Sequence, residues 1–158
     1  MRVILQRVSR ASVSWTDEAG DGRCEEIGRG LAILLGAGPE DDASHADRLA
    51  AKVAQLRIFP DANGRFNLSL EDVSGAALVV SQFTLYADAS RGRRPSFIGA
   101  APPDAARVLC QRFADQLAER GITTRTGSFG AHMTVSLDND GPVTIALSTE
   151  PWETRITG

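Results

Sequence analysis

The sequence predicts a layered α/β domain, mostly strands, with two helices laid on one side. Three observations carry that prediction. Short segments alternate apolar and polar residues or form continuous apolar runs, two longer segments repeat apolar residues every three to four positions, and glycine, proline and aspartate punctuate the intervals. The 158 residues fit one domain with one core, assigned to 1–150, with 151–158 as a loosely held tail.

Arg2 to Val8 and Ala11 to Trp15 have period-two apolar character and are expected to form an N-terminal pair of strands separated by Ser9-Arg10. Thr16 to Arg23, with its Asp, Glu and Gly, reads as a turn, which leaves Cys24 in a Gly- and acid-rich loop. Leu31 to Leu35, inside the segment Ile27 to Gly38, is the continuous run of a strand covered on both faces. Asp41 or Asp42 can cap a helix with its stripe at Ala46, Leu49, Val53 and Leu56. His45 then falls in the first turn, as a partly exposed surface residue. Asp61-Ala62-Asn63-Gly64 reads as a hairpin turn between Leu56 to Pro60 and Arg65 to Leu68.

Leu78 to Tyr86 is the central strand candidate. Pro102-Pro103-Asp104 opens a second helix with Ala106, Leu109, Cys110, Phe113 and Leu117 on one face and Gly121 at its stop. Two final strands are expected, Ala131 to Leu137, with His132 on the more polar face, and Val143 to about Leu147.

Composition narrows the function. Hydrophobic residues make up 42% and charged residues 23%, and no segment approaches the ~20 uninterrupted apolar residues of a membrane span. The first seven residues carry too short an apolar run before Gln6 and Arg7 for a secretory leader. Cys24 and Cys110 are the only cysteines, fitting a reducing cytosol and inert roles for both thiols. A net charge of -3 lacks the basic field of a protein that coats nucleic acid, so any RNA contact must be local. The dense basic cluster is Arg91-Gly92-Arg93-Arg94, which fits either a solvated loop or a set of guanidinium forks for phosphates.

With two histidines, set apart on a helix start and a strand, a Ser-His-Asp arrangement or a metal centre has little material. Neither a Walker loop nor a Rossmann glycine fingerprint is present. Two polar interruptions remain. In a strand through Ser81-Gln82-Phe83-Thr84, Gln82 and Thr84 would share one face, either lining a pocket or hydrogen-bonding inside a barrel. Asn139-Asp140-Gly141-Pro142-Val143-Thr144 reads by pattern as an ordinary turn before a strand.

The chain resembles the D-aminoacyl-tRNA deacylases, in order, from about residue 1 to residue 147. The resemblance is carried by Leu5-Gln6-Arg7-Val8 with Ala11-Ser12-Val13, Ser81-Gln82-Phe83-Thr84-Leu85, Arg94-Pro95-Ser96-Phe97, Thr126-Gly127-Ser128-Phe129 and Asn139-Asp140-Gly141-Pro142-Val143-Thr144. The Ser-Gln-Phe-Thr and Gly-Pro-Val-Thr motifs at this spacing are highly specific together and weak singly. The fold it implies is barrel-like, with mostly antiparallel sheets and two main helices on one side.

The activity it implies is hydrolysis of the ester joining a D-amino acid to the terminal ribose of tRNA, with glycyl esters also admitted and no cofactor or metal. Backbone donors of Ser81 to Thr84 would stabilise the oxyanion, with Thr84 positioning rather than attacking. Gly141-Pro142 would be a cis peptide projecting into the partner's pocket in a homodimer, its carbonyls accepting from the α-ammonium. The resemblance further implies that Gln82, Phe83 and Phe129 belong to the substrate and terminal-adenosine pocket, that Met133 lines it, and that Arg7 steadies the Gly-Pro loop. Arg91, Arg93 and Arg94 are the residues expected to meet the acceptor end.

Four features depart from the pattern: His132 stands where relatives usually carry aspartate, the Trp15 to Glu26 turn is longer, Ala146 replaces a commonly aromatic residue, and the tail is extended. Two other readings stay open. One is an editing module of the threonyl-tRNA synthetase type, which would remove an L-amino acid; the other is a non-catalytic module that binds the tRNA acceptor end.

Overall fold

The computed structural model describes residues 1–90 and 92–152. Strands β1 (Arg2–Thr16), β2 (Gly22–Ile27), β3 (Gly30–Gly36), β6 (Ala76–Ser81), β7 (Thr123–Thr126) and β8 (Met133–Ser148) form one sheet. β4 (Phe59–Pro60) and β5 (Phe66–Leu68) make a small hairpin, and the helices are α1 (Ala43–Ala54) and α2 (Pro103–Glu119). The layered α/β expectation holds. β1 pairs antiparallel with β2, β3 and β8, whereas β3, β6 and β7 run parallel to one another, so the sheet is mixed.

Each helix forms where the sequence supplies a cap and a stripe. Asp42 caps α1 by accepting from the Ser44 and His45 N–H groups, and Ala46, Leu49, Ala50 and Val53 are buried. Pro103 opens α2, and Gly121, at φ 81°, stands just past its end. Both helices bury their stripes on the sheet face carrying Val3, Leu5, Ile33, Leu35 and Val79. A second core, on Val8, Ala11, Val13, Leu78 and Val80 with Val135 and Leu137 beside it, fills the opposite, curled face.

β1 is one strand where two were expected, because irregularities at Gln6/Val8 and Val8/Arg10 bend it without ending it. They also switch its inward face, so that odd-numbered Val3 and Leu5 meet the helices while odd-numbered Ala11 and Val13 meet the other core. Cys24 lies in β2, exposed, and not in a loop. Ile27 closes β2, and Leu56 lies beyond α1. β7 was not expected, since Thr123-Thr124-Arg125-Thr126 has no apolar alternation.

The two expected final strands are the single strand β8, and the expected turn at 139–144 is an interruption within it. Gln6 pairs with Thr144 and Val8 with Asn139. Arg7 is therefore opposite the whole of residues 140–143, and this surplus must leave the sheet. Gly141-Pro142 is a cis peptide at the tip of that bulge, and both residues are exposed.

Candidate active site

The expected strand Leu78 to Tyr86 ends at Ser81, and Phe83–Tyr86 is a 3-10 turn with Gln82 as its cap. Gln82 and Thr84 therefore do not share a strand face. Gln82 Nε2 instead donates to Thr84 Oγ1, which keeps that hydroxyl engaged as an acceptor. The turn explains why strand periodicity fails after Ser81. Glycines at 36 and 38 let Tyr86 fold back under it, since a Cβ at Gly36 would lie 2.8 Å from the Gln82 carbonyl oxygen and one at Gly38 2.9 Å from the Tyr86 hydroxyl.

Three contacts fix this segment. The Gln82 N–H donates to Leu35 O at 2.7 Å, the Tyr86 hydroxyl donates to Asp41 Oδ2 at 3.2 Å, and Arg2 Nη1 donates to Leu85 O at 3.1 Å while its guanidinium lies 4.2 Å from the Tyr86 ring centre. Burial, reinforced by the Asp41 carboxylate, holds the Tyr86 phenol above its ordinary pKa, so it stays a neutral donor. At the start of the turn, the N–H groups of Phe83 and Thr84 have no hydrogen-bond partner among the described residues. These are the orphan donors that every helical turn leaves at its first residues.

Ser81, Gln82 and Phe83 line a cavity of about 290 Å³ together with Phe129 and Met133. Across Ser81, Cys110 and Phe129 it adjoins a cleft of about 580 Å³ between α2 and the β6/β7 edge. Room exists here because α2 presents Ala106 and Cys110, one turn apart, between the bulkier Leu109 and Phe113. That small-residue spacing was the missed sequence signal. Burial pushes the Cys110 thiol up to about 11, so it is protonated at neutral pH and no nucleophile. His132 lies on the rim. Among the described residues no group of three His, Cys, Asp or Glu is placed to hold a metal.

Thr84 is not among the residues lining this cavity, and the remaining site residues stand apart from it. Arg7 is buried, donating from Nη1 to Ile58 O at 2.6 Å and from Nε to Asp140 O at 3.2 Å, with the Asp140 carboxylate 3.0 Å from Nε. A Cβ on Gly141, which has φ 126°, would lie 2.9 Å from Arg7 Nη2. Neither Gly141 nor Pro142 lines the Ser81 to Phe83 cavity of the same chain. Arg93 and Arg94 are exposed in a loop closed by the Asp88 and Ser96 bridge. Arg91 lies outside the described residues, as do residues 153–158 of the expected tail; Trp152 stacks 5.3 Å from Arg2.

A family model described as D-Tyr-tRNA(Tyr) deacylase matches residues 4–148. The chain belongs to this family. A D-aminoacyl-tRNA deacylase of Roseiflexus sp. (strain RS-1) is 57% identical over 147 residues, 93% of this chain and 92% of the relative. One of Thermomicrobium roseum is 57% identical over 148 residues, 93% of both chains. Among solved structures, one described as a c-Myc DNA Unwinding Element Binding Protein superposes with a TM-score of 0.85 at 36% identity, covering 96% of this chain and 100% of its own. A probable eukaryotic D-amino acid tRNA deacylase gives a TM-score of 0.79 at 18% identity over 92% and 97%, a likeness of fold. The family match thus spans both the Ser81 to Thr84 turn and the Gly141-Pro142 bulge.

Proposed function

We propose that the protein is a cytoplasmic homodimeric hydrolase that releases D-amino acids, and glycine, from the terminal ribose of tRNA. The observation that carries this reading is the pair of N–H donors on Phe83 and Thr84 without a partner among the described residues, in the turn that follows a strand ending at Ser81, with Ser81, Gln82 and Phe83 lining a cavity beside Phe129 and Met133. When water adds to the ester carbonyl, negative charge develops on its oxygen, and two preorganised donors there stabilise the transition state more than the ground state. The acyl C–O bond then breaks, and the departing ribose oxygen takes a proton. The neighbouring ribose hydroxyl is the group that relays it, in keeping with a cavity whose one histidine, His132, is on the rim.

Chirality needs a second wall. The exposed Gly141-Pro142 tip, absent from its own chain's cavity, enters the cavity of a second copy. Its carbonyls accept from the substrate ammonium, and its bulk occupies the volume an L side chain would need. A D side chain points outward, and glycine meets no obstruction. Arg91, Arg93 and Arg94 give the acceptor stem local positive charge.

The test is ester release from D-tyrosyl-tRNA beside L-tyrosyl-tRNA. The D ester should be cleaved at least about a hundredfold faster, as steric exclusion of a whole side chain requires. Preference for the L ester would indicate an editing module of the opposite hand. Tight tRNA binding with cleavage of neither would indicate a binding module.

A further inference from the structure

The deacylase reading gives no task to Arg107, which lines the two clefts flanking Phe129. Arg107, on α2, holds its guanidinium 4.5 Å from the Phe129 ring centre. It lines the 580 Å³ cleft on one side of that ring and a further cleft of about 920 Å³ on the other, where Ser128, Gly130 and His132 form the near wall. It is exposed and has no carboxylate partner among the described residues, whereas Arg112 on the same helix is forked onto Asp47 by two bonds of 2.6 Å. The aromatic face holds Arg107 in place without neutralising it.

We infer that Arg107 binds the phosphate on the 5′ side of the terminal adenosine, positioning the acceptor end for hydrolysis. This inference rests on the deacylase reading, with the terminal adenosine held beside Phe129, the ring that Arg107 covers. Charges around the clefts sort that phosphate toward Arg107. Asp17, tied to Arg23, and Glu18 stand on the far wall of the larger cleft, and Asp115, in the smaller, is bonded by Gln111. Of the arginines lining these two clefts, Arg107 and Arg112, Arg107 is the one without a carboxylate partner among the described residues, so its positive charge is the one left for a phosphate.

The experiment compares Arg107→Met, which keeps an apolar cover on Phe129, and Arg107→Lys, which keeps the charge. Two substrates are used, D-tyrosyl-tRNA and D-tyrosyl-adenosine, the second having no 5′ phosphate. Arg107→Met should lose about tenfold in kcat/KM on the tRNA ester, mainly through KM, the scale of one charge-assisted contact, and should stay within about twofold of wild type on the nucleoside ester. It should also flatten the salt dependence of the tRNA reaction by about 0.7 in log-log slope. Arg107→Lys should recover most of the loss.

Equal losses on the two esters would overturn the inference, making Arg107 a prop for Phe129, and so would no loss on either. A wild-type protein that cleaves neither ester would instead remove the deacylase reading and the phosphate contact with it.

Discussion

The Ser81 to Tyr86 segment and the bulge at residues 140–143, the two halves of the proposed site, are built in opposite ways. The first is tied into its own protomer from several directions, by Leu35, Asp41 and Arg2, over glycines that let Tyr86 pack close. The second is anchored only at its base, where Arg7 holds Asp140 and the Asn139 side chain accepts from the Val143 N–H at 2.9 Å. Its tip is exposed. An element that stabilises a transient charge must be rigid before substrate arrives. An element shaped for a surface elsewhere needs a firm base and a free end.

The largest effect should come from separating the two regions onto different chains. Gly36→Ala drives a Cβ into the Gln82 carbonyl, and Gly141→Ala strains a positive φ while crowding Arg7. Each homodimer should lose about a hundredfold in activity, the scale on which misplacement of about 1 Å acts. If the bulge works in the partner's cavity, refolding an equal mixture should restore about a quarter of wild-type activity, because half the dimers are mixed and each has one intact site. Recovery of nothing would place bulge and turn in the same protomer's site and break the comparison.

A smaller effect is expected at the anchor. Arg7→Ala leaves the Ile58 carbonyl without its donor and frees Asp140, so the unfolding free energy should fall by roughly 2 kcal/mol, the cost of an unsatisfied buried group. Deacylation should drop about tenfold, because the tip loses its orientation. Arg7→Lys should restore part of the stability and little of the activity, since an ammonium cannot fork between Ile58 and Asp140. Full activity in Arg7→Ala, measured beside urea unfolding, would show that the bulge holds its own shape.

The same contrast explains what could be read from the sequence. The helices, the hairpin turn and the apolar strands were legible because burial writes a period into the residues, as at Ala46, Leu49 and Val53. The 3-10 turn was not, because Phe83 to Tyr86 reads as a strand, and only glycines distant in sequence, 36 and 38, make room for another shape. The bulge motif was legible as a motif and illegible as a shape. Its departure from the sheet is set by register against Arg7, a relation between residues more than a hundred positions apart.

The smallest effect should come from a residue that supports the core behind both regions and touches neither. The Asp42 carboxylate accepts from the Ser44 hydroxyl and from the N–H groups of His45 and Ser44. Those bonds, the Ser44 hydroxyl foremost, hold its pKa far below the ordinary carboxylate value. A carboxylate depressed in the folded state stabilises the protein above its unfolded pKa of about 4, and that contribution is lost as pH falls from there through the folded value. Asp42→Ala should therefore lower Tm at pH 7, with the gap to wild type narrowing as pH falls below about 4. Deacylase activity per folded molecule at neutral pH should not change, because α1 buries Leu49 and Val53 against the sheet without reaching the cavity wall. A gap of constant size down to about pH 3 would mean that the substitution removes packing and not a charged cap. Lost activity without lost folding would mean that α1 helps to set the pocket wall, so that the wall's rigidity is not confined to Leu35, Asp41 and Arg2.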